Sequence, residues 1–277
     1  MAVDYVVHFP CPPKTQLGDS DSLVGSGRIV EMLKARNRAV MIRDMSEKDG
    51  QDPNAVTIKV MRVNTRGQSV ESVVRYADLK REGAKLKPFE AECDGCPANC
   101  RGRSFGCFGF VSYPIPRRTE EWLMDLVQPP HTVGGHLFQR AVNDFHYHGQ
   151  PIQRMRKGGL FEARAPVEIA FENEQNTVTL TSDQVWQAIL GVGGSLDPWH
   201  SIGVLLWLGA VEVDGRRVET PEDALKLRQL ATPAERNGRT AAAFGDHIED
   251  AAIVAARELL RAMYLSWVLD VPLLISA

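Results

Sequence analysis

The chain has 277 residues, of which 44% are hydrophobic and 24% charged, and a formal net charge of −3. These proportions exclude a disordered or fibrous protein, and five cysteines are too few for a scaffold built on disulfides. The most apolar run, residues 202–211, is about half the length a bilayer needs, and residues 1–4 open without the basic flank and apolar stretch of a secretory signal. The expectation is a cytoplasmic protein with no membrane association, where clustered cysteines read as metal ligands rather than disulfides.

The charge is unevenly spread. Residues 1–118 hold 19 Lys+Arg and 14 Asp+Glu, a formal +5, whereas residues 119–277 hold 13 and 21, a formal −8. This asymmetry divides the chain into two expected regions. The first, 1–118, reads as a small α/β sandwich carrying a four-cysteine metal-binding loop; the second, 119–277, reads as mostly helical with β-hairpins. The fold class expected is α+β.

In chain order, residues 4–9 predict a strand stopped by Pro10, Pro12 and Pro13. Residues 23–38 predict a helix, with apolar Leu23, Ile29, Val30 and Leu33 near helical spacing. Runs 39–43 and 55–63 read as strands, the second alternating cleanly, and 70–81 reads as a helix. The segment 85–92 leads into the cysteine loop, and 108–115 is a further strand. In the second region Thr119 opens a helix with Glu120 and Glu121 in its first turn, where carboxylates suit the helix dipole. A helix is expected over 135–148 and a hairpin over 166–181. Thr181 or Ser182 caps a helix ending at Gly191, and Asp197-Pro198 begins the next. Asp214-Gly215 predicts a tight hairpin pairing Val213 with Arg216, Glu212 with Arg217 and Val211 with Val218. Thr220-Pro221-Glu222-Asp223 starts another helix, and a long amphipathic helix is expected over 241–269.

The most informative feature is the spacing Cys93-x2-Cys96-x3-Cys100-x6-Cys107. One zinc ion takes four thiolates at tetrahedral corners, each sulfur about 2.3 Å away. Gly95, Gly102, Gly106 and Pro97 give the loop the turns that such wrapping needs. The short ligand span resembles the structural-zinc lobe of zinc-containing alcohol dehydrogenases. The resemblance stops at that lobe, since no glycine-rich dinucleotide fingerprint follows a strand, and it implies a structural zinc without implying the activity. Four cysteine ligands leave no open coordination position, so the site is expected to be structural. An iron–sulfur cluster is the alternative occupant, although the spacing matches neither common ferredoxin order. Cys11 is surplus to either.

Three further candidates carry chemistry. Residues 108–113, Phe-Gly-Phe-Val-Ser-Tyr, resemble the last six positions of the RNA-recognition-motif signature; Gly106 and Cys107 stand where that signature has a basic residue and Gly. Phe108 and Phe110 would share one strand face for base stacking, with Arg101 and Arg103 supplying charge. Asp144-x-His146-x-His148, with His131 and His136 nearby in sequence, could form a second metal or acid–base site. The glycines of 25–28, inside a helical pattern and without a Lys-Ser/Thr ending, and those of 191–195, which follow a helix rather than a strand, read as turn or packing glycines. Residues 181–218 resemble a winged helix, but 200–208 carry no basic residue to enter a DNA groove and read as a core or docking helix.

These observations favour a non-catalytic, zinc-stabilised component of a cytosolic protein assembly, with an apolar tail over 267–275 suited to docking a protein partner or a second copy. The alternatives are an RNA- or single-strand-binding protein at Arg101, Arg103, Phe108 and Phe110, a metal-dependent enzyme at Asp144, His146 and His148, and an iron–sulfur redox or sensor protein.

Overall fold

The computed structural model describes residues 2–17, 28–63, 69–99, 101–172, 177–191, 194–213, 215–237, 239 and 250–276. In chain order these form β1 (Ala2–Val7), α1 (Pro12–Leu17), α2 (Arg28–Asp49), β2 (Thr57–Val63), β3 (Ser69–Arg75) and α3 (Tyr76–Ala84). Then come β4 (Phe108–Ser112), α4 (Arg117–Leu126), α5 (Val133–Asp144), α6 (Gln150–Lys157), β5 (Glu168–Glu172), β6 (Thr177–Thr181) and α7 (Ser182–Leu190). The last are β7 (Ser195–Leu196), α8 (Pro198–Trp207), β8 (Glu212–Val213), β9 (Arg216–Arg217), α9 (Pro221–Gln229), α10 (Pro233–Arg236), α11 (Ala251–Leu269) and β10 (Leu273–Ser276). The class is α+β with small antiparallel sheets. Compact units divide the chain after Phe9 and after Gly95, giving one unit of 1–9 plus 96–277 and another of 10–95, rather than at the change of charge near 118.

The larger unit is built on a sheet of order β4-β1-β10-β7. Val3, Asp4, Tyr5, Val6 and Val7 of β1 are all buried, as a strand covered on both faces requires. Gly109 of β4 pairs with Tyr5. A β-carbon there would lie 2.2 Å from the Tyr5 ring, so this is a position where the ring needs the missing side chain. Helix α11 packs on β1 and β4 and against α8, where Ser201 and Ser266 bring their hydroxyls to 3.5 Å. Trp267 and Met263 of α11 are fully buried. Asp250 caps that helix by accepting from the amides of Ala252 and Ile253; of the expected span, 241–249 lie outside the described residues.

The sheet corrects two expectations. The C-terminal strand β10 sits between β1 and β7, paired with both, so the two ends of the chain share one sheet instead of belonging to successive regions. For the same reason the apolar tail is not a docking surface: Trp267, Leu273 and Ile275 are buried in this unit's own core. A run with alternating side chains covered on both faces reads the same in sequence whether its cover comes from its own chain or from a partner.

The smaller unit packs α2 and α3 over the β2–β3 hairpin. Ala35, Ala39, Ile42, Tyr76 and Leu79 form its core, with Val56, Ile58 and Val74 packed against it. Ile58 lies opposite Val74 in the hairpin. The close approach of α3 to α2 depends on Gly83, whose added β-carbon would meet the Arg36 backbone at 2.8 Å.

Here too the structure departs from expectation. Residues 39–43 are not a strand but the middle of α2. Met32, Ala35, Ala39, Ile42 and Ser46 are buried at alternating steps of three and four, so the helical stripe runs straight through the locally β-rich Val40-Met41-Ile42. Residues 70–75 belong to strand β3, paired with β2, and the helix begins only at Tyr76. Elsewhere the expected punctuation is present. Thr181 with Gln184 and Thr220 with Asp223 form reciprocal capping boxes, and Asp197 accepts from the amide of His200 to start α8. Gly191 follows α7 at φ 68°. Glu212 pairs with Arg217 and Val213 with Arg216, as the hairpin signal required. Buried Ile202, Val204, Leu205, Leu206 and Trp207 make α8 a core helix.

Candidate functional site

The cysteine segment is a chain of tight turns. Asn99 N donates to Cys96 O at 3.0 Å, Gly106 N to Arg103 O at 2.8 Å and Phe108 N to Phe105 O at 3.0 Å. Gly95 and Gly102 adopt φ of 71° and 60°, a region that glycine enters without steric cost. Cys93 falls in the smaller unit, and Cys96 and Cys107 in the larger. Cys93 and Cys107 are buried and Cys96 is half-buried; Cys100 lies outside the described residues. The Cys93 thiol reaches Phe89 O at 3.9 Å, and the Cys107 carbonyl accepts from Val7 N at 3.0 Å. Cys11 is half-buried at the start of α1, its carbonyl accepting from Lys14 and Thr15. Among the described residues no group of three or more His, Cys, Asp or Glu side chains is arranged to hold a metal ion.

The aromatic strand is placed differently from a base-stacking platform. Phe108 is buried and Phe110 half-buried, and β4 is covered by α11. Arg101 forms an ion pair with Glu258 of α11 at 2.8 Å, both side chains largely enclosed. Arg103 is exposed. The strand's aromatic pattern therefore serves the core at Phe108, and the Arg101 charge is used within the unit.

The Asp144, His146, His148 set lies on the surface at the end of α5, with His131 and His136 also exposed. Asp144 is turned back to Arg140, 2.7 Å away. His146 takes φ 56° and its carbonyl accepts from His148 N at 2.8 Å, so this stretch is a turn, neither the strand that would put all three on one face nor the helix that would align Asp144 with His148. Between the two histidines Tyr147 turns inward against His200 and Trp207, at centroid distances of 6.3 and 6.4 Å. Burial, with Asp197 nearby, raises its phenol pKa above the ordinary value. The glycines of 25–27 and Val192-Gly193 lie outside the described residues; Gly194 accepts from Ile275 N at 2.8 Å and belongs to the sheet.

The most concentrated chemistry is a cluster not singled out by any motif. Arg156 of α6, Glu120 of α4 and Asp183 of α7 are buried together, with side-chain exposures of 3%, 0% and 0%. All five guanidinium N–H groups are used. Nε and one Nη2 hydrogen go to Asp183 Oδ1 at 3.1 and 2.6 Å. The other Nη2 hydrogen goes to Glu120 Oε1 at 2.5 Å, and Nη1 donates to Glu120 Oε2 at 3.1 Å and to Ala163 O at 2.8 Å. Ser182 Oγ donates to Glu120 Oε1 at 2.7 Å and accepts from Val167 N at 3.0 Å. The guanidinium carbon stands 4.2 Å from the Phe161 ring centroid, and that ring packs edge-on to Trp186. Gly149, at φ 77°, begins α6 so close to α7 that a β-carbon would lie 2.8 Å from Asp183 Cβ.

The electrostatics follow from the geometry. Burial, the largest effect, works against the Arg156 charge, but hydrogen bonds and attraction from Glu120 and Asp183 outweigh it and leave its pKa raised. For Asp183 burial is again largest and raises the pKa; Arg156 pulls it down and the Glu120 carboxylate pushes it up, and the sum stays raised. The available sequence signal was positional. Glu120 shares its helix face with buried Leu123, Met124 and Val127, and Arg156 follows buried Ile152 by one helical turn; charges on an apolar stripe announce a buried pair.

Around these sites no protein-family model, no curated protein and no solved structure is similar to the chain, so its function has to be argued from these residues alone.

Proposed function

We propose that this chain is a non-catalytic, zinc-stabilised component of a protein assembly, with Cys93, Cys96, Cys100 and Cys107 holding one zinc ion. The observation that carries the reading is the spacing of four thiols within fifteen residues, punctuated by glycines at positive φ. Soft, charged thiolates at such intervals suit a tetrahedral d10 ion. A centre closed by four sulfurs binds no substrate, and its binding free energy, on the order of 10 kcal/mol, stabilises the folded segment. Support for a partner-binding role comes from large apolar side chains on the larger unit's surface: Phe145 at 69% and Trp199 at 50% exposure. Such residues are enriched where proteins meet.

Metal analysis and an absorption spectrum of the anaerobically purified full chain test the metal assignment. About one zinc per chain with no visible absorbance is expected. Iron with visible absorbance would assign the same thiols to an iron–sulfur cluster instead. The assembly role is tested by the mass of the native species in cell extract: a species larger than the chain supports it, and a monomer with measurable turnover contradicts it. For the single-strand-binding reading, Arg101 is paired with Glu258 and Phe108 is buried.

A further inference from the structure

We infer that Asp183 is a buried proton-holding site: in the folded protein its carboxyl group is protonated, Glu120 alone neutralises Arg156, and ionisation of Asp183 loosens the junction of α4, α6 and α7. The inference is independent of the zinc assignment and rests on a donor count. Two carboxylates with no exposed side-chain surface share one guanidinium. Glu120 accepts from Arg156 through both oxygens and from Ser182 as well, which is the environment of an anion. Asp183 accepts through Oδ1 only; its Oδ2 is buried and accepts nothing from the described residues. With every guanidinium hydrogen already placed, Arg156 has nothing to give that oxygen.

The charged groups acting on Asp183 are Arg156 from α6 and Glu120 from α4, and Asp183 is the one charged residue of α7. Its place in the first turn of α7 favours the anion through the helix dipole, but that contribution is small beside the desolvation of a second buried carboxylate. One proton brings the triad from a net −1 to neutrality, and on ionisation that proton leaves to solvent. The folded form then holds a proton that the unfolded chain has released above about pH 4. The Asp183 contribution to stability is therefore greatest at or below that pH and is lost as pH rises through the folded pKa of Asp183.

The test compares the full-length wild type with Asp183→Asn and Glu120→Gln. The amide of Asp183→Asn mimics the protonated acid, so its denaturation midpoint should match the wild type only near about pH 3 and exceed it increasingly as pH rises toward about pH 9. Glu120→Gln, which removes the working anion, should lower the midpoint throughout. A protonated-carboxyl stretch in the infrared spectrum, absent from Asp183→Asn, should accompany this. The inference is overturned if Asp183→Asn fails to fold or is less stable than the wild type at every pH, if Glu120→Gln is tolerated equally well, or if the infrared band is missing.

Discussion

The cysteine segment and the Arg156 cluster are opposites. The first announces itself along the chain, four thiols within fifteen residues, and its gathering into a centre is a proposal. The second is assembled fully in space, yet its members stand 27 and 36 residues apart and no motif connects them. Spacing records chemistry only when one short segment supplies every ligand. Burial collects chemistry from three helices, and its trace in sequence is a charge on an apolar stripe. The two also differ in what they could do. A closed metal centre is a staple whose occupancy depends on its environment, whereas a buried triad is a fixed internal joint.

The sharpest way to break this contrast is to remove each element in turn. Replacing Cys107 with Ser, or stripping metal with a chelator, should lose the bound zinc and destabilise the chain by up to about 10 kcal/mol, measured by unfolding with metal content recorded in parallel; unchanged stability on complete metal loss would demote the segment to free thiols. Arg156→Met should cost roughly 3–5 kcal/mol, because it strands the buried Glu120 carboxylate without a cation. Arg156→Lys should not rescue it fully, since an ammonium offers three donors where five are used. Equal stability of the Met variant and the wild type in urea would mean that the cluster is not the joint described. Gly109→Ala should cost about 1–3 kcal/mol by driving a methyl into the Tyr5 ring, visible as a lower midpoint with little change in slope.

Smaller effects concern helix ends and pH. Thr181→Ala should cost about 1 kcal/mol through loss of the α7 capping box; because α7 carries Asp183, the variant should also narrow the difference between the wild type and Asp183→Asn. On the acid side, three carboxylates at helix starts have lowered pKa values: Asp223 through the Thr220 hydroxyl, Glu235 through the Thr232 amide and Asp250 through Arg118. Their contribution is present above about pH 4 and is lost as pH falls through their folded pKa values. Removing the Thr220 hydroxyl should make stability less sensitive to acid in that range.

How much of this was legible beforehand follows from where the information sits. Caps and turns are local, so Thr181, Asp197, Gly191, Thr220 and the 211–218 hairpin could be read directly. The residues misread were those whose local preference is overruled by their neighbours. Val40-Met41-Ile42 looks like a strand but continues a buried helical stripe through Ala39 and Ile42. The valines of 70–74 look helical in spacing but pair across a hairpin. The tail at 267–275 reads as sticky and is in fact buried, because its final strand pairs with β1 from the opposite part of the chain. At the candidate sites, Phe108 and Arg101 had the right types for nucleic acid, but α11 covers the one and Glu258 engages the other. Asp144, His146 and His148 had the right types for a metal; the left-handed turn at His146 leaves the two imidazole ring centroids 5.6 Å apart, while Asp144 is engaged by Arg140.

The central claim, that four cysteines make this a zinc-stabilised protein, is most directly tested by the metal content of the anaerobically purified full chain beside its Cys96→Ser variant. The account predicts about one zinc per wild-type chain, no iron and no visible absorbance, with the zinc lost in the variant. A wild-type chain carrying no zinc, or carrying iron with visible absorbance, would contradict it.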